Sequence, residues 1–308
     1  MGNGFPRLLG DIGGTNARWA WQADAASALT HRATYACADH DSVLAVIQHY
    51  LAEQGLGEPA SAAIGIATAV TGDHIQMTNL HWSFSIAELR AALGVEQCLV
   101  LNDFATVAAS LPALGAADVR VLGSGAAQPG EPMAVLGPGT GLGVAGLVFD
   151  GTGRPITVAG EGGHATLAAA NDREAAVLAQ LHAWYGHASA ERALSGPGLV
   201  NLYKALCAVD QRPALDLKPA EVSARAQSGS DAACAEALAL FAAFLGSVAG
   251  NVALTFGARG GVFVAGGIVP RLGEAVDAQA FRERFEAKGR FRSYLQAIPT
   301  AIITSPNS

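Results

Sequence analysis

The chain has 308 residues, 51% of them hydrophobic and only 15% charged, with a formal net charge of −7. That length suffices for two domains, or one large α/β domain, with a core of its own. So apolar a composition excludes a disordered chain, and the acidic balance excludes nucleic acid as a main partner. Small anions can still bind through backbone amides, which net charge does not report. Four cysteines (Cys37, Cys98, Cys207 and Cys234) are scattered without close spacing, which suits a reducing cytosol better than a disulfide framework or a zinc site. The residues before Asp11 are too few and too soon charged for a secretory signal.

Apolar runs of strand length alternate with helical-period stretches, which predicts α/β layers. Arg7 to Gly10 and Ala17 to Gln22 are predicted strands, joined by the turn Asp11-Ile-Gly-Gly-Thr-Asn16. Asp41 to Gln54 is a predicted helix, Ala62 to Ala67 a strand, and His74 to Met77 another. Ser85-Ile-Ala-Glu88 has capping-box spacing ahead of a helix that Gly94 ends. Cys98 to Leu101 is a strand that hands over at Asn102-Asp103 to a helix stopped by Pro112. Val119 to Pro132 turns rich in Gly, Pro and Ser, as a loop near a domain junction would. Met133 to Leu136, the turn Gly137-Pro-Gly-Thr-Gly141 and a strand from Gly143 to Phe149 then repeat the opening unit. Two copies of strand, Gly-Thr turn and strand suggest two related halves facing one ligand. Asn171 to Tyr185, Gly198 to Val209 and Ala232 to Gly257 are predicted helices, and Gly261 to Ala265 and Thr300 to Thr304 are predicted strands, the first ending in Gly266-Gly267. No charge interrupts the chain between Glu236 and Arg259, and Gly246-Ser-Val-Ala-Gly250 is a GxxxG, so this stretch could pass for a membrane span. Its Ala and Gly content, its Ser247, Asn251 and Thr255, and the lack of basic anchors before it favour a helix buried in a soluble protein.

The chemistry-bearing residues fall in a few places. In Gly10-Asp11-Ile12-Gly13-Gly14-Thr15-Asn16, glycines let backbone amides approach an oxygen closely, and Thr15 and Asn16 add donors, as a phosphate nest requires. A carboxylate such as Asp11 beside phosphates makes sense with a divalent metal between them. An ordinary hairpin turn is the plainer account, and the Lys-Ser/Thr pair of a P-loop is missing. Gly141-Leu-Gly143-Val-Ala-Gly146 matches a dinucleotide fingerprint, but that fingerprint opens a helix, whereas Val144 to Phe149 reads as a strand. A second phosphate-facing hairpin around Gly139-Thr140-Gly141 accounts for it better. Asn102 and Asp103 lie at a strand's C-terminal end, where open α/β sheets hold ligands. Glu161-Gly-Gly-His164 follows a strand, and Glu191 sits before Leu194-Ser-Gly-Pro-Gly198. Singly, Asp103 is also a helix cap, His164 a turn histidine and Glu191 a solvated acid. Together, acids, an amide and a histidine match a polyol, whose hydroxyls each need a donor and an acceptor.

Taken in order, these motifs closely resemble the bacterial glucokinases of the hexokinase type, in the actin-like sugar-kinase superfamily. The resemblance rests on Gly10 to Arg18, Met77-Thr-Asn79 with Trp82, Asn102-Asp103-Phe104, Gly139 to Gly143, Glu161 to His164, Ser189-Ala-Glu191 with Leu194 to Val200, and Gly261 to Pro270. It implies a two-lobed actin-like (ribonuclease H-like) α/β fold with a cleft between the lobes. A small domain over residues 1–111 would carry the first hairpin and the catalytic Asp. A large domain over 112–308 would carry the second hairpin and the sugar and adenosine contacts, its C-terminal end returning toward the small domain. The implied activity is transfer of the ATP γ-phosphoryl group to O6 of D-glucose, giving glucose 6-phosphate and ADP in the first step of glycolysis. Alternatives are a kinase for another hexose or a non-catalytic sugar sensor.

The resemblance also implies roles. Asn102, Asp103, Glu161, His164 and Glu191 would bind glucose, with Asp103 as base. Gly10, Asp11, Ile12, Gly13, Gly14, Thr15, Asn16, Gly139, Thr140, Gly141, Gly266 and Gly267 would hold ATP, with Asp11 facing Mg2+ through water. A cytoplasmic enzyme acting on glucose and ATP is expected, without nucleic acid or membrane as partner and with a homodimer left open. Two departures stand out. The family often carries an Asp two residues after the histidine, where this chain has Thr166. Similar proteins also continue past Thr304-Ser-Pro-Asn307 with a Gly-rich turn and a last helix.

Overall fold

Ala17, Trp19 and Trp21 occupy alternate positions of one strand and are all buried, the period-two pattern that turns one face of a sheet to a core. In the computed structural model, which describes residues 4–78 and 80–304, that strand is the second of thirteen. Asn79 of the Met77–Asn79 motif and the continuation expected past Thr304 lie outside the described residues. The chain divides into two compact units, one through Thr106 and one from Val107.

The first unit runs β1 (Arg7–Ile12), β2 (Asn16–Gln22), β3 (Thr30–Ala36), α1 (Val43–Glu53), β4 (Ser61–Ile66), β5 (His74–Gln76), β6 (Ser83–Ser85), α2 (Ile86–Ala92), β7 (Gln97–Asn102) and the start of α3 (Asp103–Ser110). Its sheet has the order β3-β2-β1-β4-β7, with β1, β4 and β7 parallel and β1-β2-β3 an antiparallel meander. Leu8, Ile12 and Ile64 from the strands meet Val46, Ile47 and Tyr50 of α1 in the core. Ser85 caps α2 by accepting the Glu88 N–H at 3.1 Å, as the capping-box spacing predicts. The carboxylate seen there is that of Asp73, which accepts the Ala87 N–H at 2.9 Å and the Ser85 hydroxyl at 2.5 Å. The β5–β6 hairpin brings it to the helix end, and these donors hold its pKa below the usual aspartate value.

The second unit comprises β8 (Val119–Val121), β9 (Met133–Pro138), β10 (Leu142–Phe149), β11 (Pro155–Gly160), α4 (Asp172–Tyr185), α5 (Gly196–Val209), α6 (Pro219–Ser228), α7 (Ala232–Phe256), β12 (Gly261–Val264), α8 (Ile268–Leu272), α9 (Ala278–Glu286), α10 (Arg292–Gln296) and β13 (Thr300–Ile303). Its sheet order is β11-β10-β9-β12-β13-β8. The first five of these repeat the order and directions of the first unit's sheet, so the repeated strand–turn–strand unit of the sequence opens a repeated five-strand topology.

The uncharged stretch lies in α7, whose buried face belongs to the core of this unit. Its GxxxG serves helix contact inside the protein. A Cβ on Gly246 would lie 2.1 Å from the Phe281 carbonyl oxygen, and one on Gly250 2.5 Å from that of Phe285, so only glycine lets α9 come this close. Phe281 and Phe285 are thereby fully buried, each contributing roughly 1.5–3 kcal/mol. Glu174 at the start of α4 is only 1% exposed and pairs with Arg284 of α9, which also donates to the Ser247 hydroxyl of α7 at 2.8 Å.

Candidate active site

Parallel strands align their C-terminal ends, which is where the first unit gathers its polar residues. Ile12 of β1 is in register with Ile66 of β4, and Ile66 with Asn102 of β7. Asp11 and Asn102 therefore sit at one sheet end, two strands apart, or about 10 Å at ordinary strand spacing.

The turn between β1 and β2 is closed by the Gly13 N–H donating to the Asn16 carbonyl at 2.9 Å, so this amide shapes the turn. The Asn16 amide donates to the Thr15 hydroxyl at 3.1 Å, and the Thr15 carbonyl accepts the Cys37 N–H at 2.8 Å. Thr15 stays exposed and Gly14 half-buried. Ile12 is fully buried and belongs to the core. Gly10 has a packing reason of its own, since a Cβ there would stand 2.3 Å from the ring of its cross-strand partner Trp19. Asp11 projects from the opposite face, where Arg18, its antiparallel partner, donates to it at 2.8 Å. Arg18 belongs to the motif but has no role in the sequence expectation. Hairpin pairing was the available signal, because a turn at 13–15 sets 18 opposite 11 on one face.

Asn102 ends β7 and caps α3, its Oδ1 accepting the N–H groups of Phe104 at 3.0 Å and Ala105 at 3.4 Å. Its Nδ2 donates to the Thr68 carbonyl at 3.2 Å. The Thr68 hydroxyl meets that of Thr78 at 2.7 Å, which ties the segment after β4 to the Met77–Trp82 loop. Asp103 is half-buried at the first position of α3, and its Oδ1 also receives the Phe104 N–H, at 2.8 Å.

The second unit gathers the remaining candidates. The Gly139 N–H closes the β9–β10 turn on the Gly141 carbonyl at 2.8 Å, and Thr140 at its tip is exposed. Gly266, with φ of +82°, lies against the end of β9, where a Cβ would be 2.5 Å from the Pro138 carbonyl oxygen. Gly266 and Gly267 thus flank the second hairpin. Glu161 and His164 are exposed at the two ends of a single turn, closed by the His164 N–H donating to the Glu161 carbonyl at 3.0 Å. The Ala190 N–H donates to the Ala165 carbonyl at 2.9 Å, which fastens the Glu191 segment to this turn. Glu191 itself is half-buried and accepts the Leu142 N–H at 3.0 Å. Thr166, where the family often has Asp, shares a 3.0 Å hydrogen bond with the His187 ring.

A metal at Asp11 is chemically reasonable: Mg2+ needs one or two carboxylates plus water and phosphate oxygens, and the Asp11 side chain is 54% exposed beside the hairpin. Among the described residues no cluster of three His, Cys, Asp or Glu forms a dedicated cage, so such an ion would depend on the nucleotide for most of its ligands.

Comparison with known proteins bears on what this arrangement does. The glucokinase of Aromatoleum aromaticum is 52% identical over 300 residues, covering 97% of this chain and 90% of that protein. The solved glucokinase from an Antarctic psychrotroph superposes with a TM-score of 0.91 at 38% identity, covering 98% of this chain and 95% of that one. A ROK family glucokinase from Streptomyces griseus, solved with glucose and AMPPNP, shares the fold at a TM-score of 0.60 and 19% identity, over 96% of this chain and 94% of its own. The two-unit α/β architecture is the actin-like sugar-kinase fold. Residues 8–308 match the family described as glucokinase, and with the relatives this establishes that the chain belongs to the glucokinase family.

Proposed function

We propose that this chain transfers the γ-phosphoryl group of ATP to O6 of D-glucose, with Asp103 as the base. It is an ATP-dependent hexose kinase, and family membership carries the assignment of reaction. The observation that supports the roles is the pair of Gly-Thr hairpins at equivalent places in a repeated topology, with Asp103 at the strand end two strands from Asp11.

Phosphoryl transfer leaves a protein little covalent work, so catalysis is mostly positioning and charge stabilisation. The sugar O6 forms a bond to γ-phosphorus as the bond to the bridging oxygen of ADP breaks, and the O6 proton passes to the Asp103 carboxylate. Asn102 holds the start of α3, and so Asp103, in place through its two capping bonds. Glu161, His164 and Glu191 accept and donate to glucose hydroxyls. Gly14, Thr15, Thr140 and the turns around them hold phosphates, with Gly266 and Gly267 beside the adenosine. Asp11 would hold the Mg2+ that accompanies the nucleotide, and the ion would supply charge neutralisation on the phosphate oxygens.

The enzyme is read as cytoplasmic. Its four cysteines are free thiols, and its longest apolar helix lies in its own core. A homodimer is the assembly to test by sedimentation. The activity is tested by ADP release measured across a panel of hexoses. Glucose should give the highest kcat/KM. A preference for mannose or glucosamine would replace the substrate assignment, and no sugar-dependent ADP release would remove the kinase reading.

A further inference from the structure

Glu191 is assigned to the sugar above, yet its carboxylate already has a partner on the nucleotide side. Oε2 accepts the N–H of Leu142, the residue directly after Gly139–Gly141, at 3.0 Å. A Cβ on Gly141 would stand 2.4 Å from that same oxygen, so the missing side chain is the space the carboxylate fills. The two segments are tied again nearby. The Gly196 N–H donates to the Gly139 carbonyl at 2.9 Å. Ser195, whose hydroxyl caps α5 by accepting the Gly198 N–H at 2.9 Å, donates to the Glu191 carbonyl at 2.9 Å. The turn carrying His164 presses on the same residue, since a Cβ on Gly163 would be 2.1 Å from the Leu142 carbonyl oxygen. A carboxylate has about four acceptor sites, so one bond to Leu142 leaves capacity for a hydroxyl.

We propose that Glu191 couples the two substrates, one carboxylate serving both the backbone of the nucleotide hairpin and a hydroxyl of the sugar. This rests on the reading of Glu191 as a sugar ligand. A sugar that fixes the carboxylate also fixes the Leu142 peptide, and with it the turn that meets the phosphates. Nucleotide binding orders the same bond from the other side. Coupling of this kind is reciprocal, because each ligand must change the other's affinity by the same factor.

Calorimetry on the intact chain tests it, titrating glucose with and without Mg-AMPPNP. The wild type should bind glucose on the order of tenfold tighter with the nucleotide present, within the usual range of site-to-site coupling. Gly141→Ala belongs to the nucleotide hairpin, yet it should weaken glucose by about tenfold even without nucleotide, because its Cβ displaces the carboxylate. Gly139→Ala alters the same hairpin where no atom beyond its chain neighbours lies within 4 Å of the new Cβ, and should leave nucleotide-free glucose affinity in place. If Gly141→Ala binds glucose normally while Glu191→Ala does not, the coupling is overturned and the sugar assignment stands. If Glu191→Ala binds glucose normally, the assignment falls and the coupling with it. Should Gly141→Ala fail to fold, Mg-AMPPNP affinity of Glu191→Ala without sugar decides: several-fold weakening supports the link, and unchanged affinity overturns it.

Discussion

Asp103→Asn separates a base from a helix cap. The sequence allows Asp103 either role, and the geometry gives most of the capping to its neighbour: Asn102 accepts the N–H groups of both Phe104 and Ala105, while Asp103 accepts that of Phe104. An asparagine at 103 keeps an oxygen for that bond and keeps its size. At the helix end it loses a negative charge at the N-terminus of an eight-residue helix, worth about 0.3–1 kcal/mol. For a chain of this length that is a Tm change of no more than roughly 2–4 °C. What it loses in chemistry is the proton acceptor. General-base loss costs about 10²- to 10⁴-fold, or roughly 3–5 kcal/mol of transition-state stabilisation. The assay is kcat by coupled ADP release beside glucose Kd by calorimetry. The expected result is a kcat lower by at least about 100-fold, with Kd changed far less. Turnover near wild type would refute the base assignment. A large fall in Tm together with lost activity would move Asp103 to a structural role. Asn102→Ala is the contrasting variant: it removes the cap, at about 1 kcal/mol, and strands the Thr68 carbonyl.

The parts of the fold legible in the sequence are those whose local signal and tertiary role agree. The two hairpins could be read because strand periodicity meets Gly-Thr turns at both, and α7 because nothing charged interrupts it after Glu236. Strand β3 was missed: it is an edge strand, mostly exposed, and Thr30-His-Arg-Ala-Thr-Tyr-Ala carries no apolar face strong enough to announce it. Strand β8, inside a stretch expected to be a loop, has three residues and exists because β13 pairs with it. Helices α8 and α10 are five residues each, too short for a 3.6-residue period to show. For the site, residue types were legible and their partners were not. Asn102 and Asp103 could be found from their place at a strand end. The Leu142 amide could not, because a backbone N–H has no signature in sequence and Glu191 lies 49 positions away. The cation beside Asp11 is Arg18, set there by the register of β1 and β2.

Glu161→Ala should weaken glucose by about 2–4 kcal/mol in calorimetry without nucleotide, from the loss of one or two charged hydrogen bonds; unchanged affinity would remove Glu161 from the site. Gly10→Ala should lower stability by about 1–3 kcal/mol, because its Cβ meets the buried Trp19 ring, and an unaltered Tm would show that the ring has room to move. The last expectation concerns acid. Burial pushes the Glu174 carboxyl up, but Arg284, the Ala170 N–H at 2.8 Å and the Asn171 amide at 3.0 Å outweigh burial and hold it below the ordinary glutamate value. A group whose folded pKa is depressed adds stability above its unfolded pKa, about 4.3, and loses it as pH falls through the folded value. At pH 7, Glu174→Gln should therefore cost about 3 kcal/mol in urea unfolding, since Arg284, only 17% exposed, is left without its counter-charge. As pH falls below the unfolded value toward the lower folded one, the carboxyl takes up its proton, so the gap between wild type and variant should shrink. A gap that stays constant from pH 7 to pH 3.5 would show that Glu174 acts by shape and not by charge.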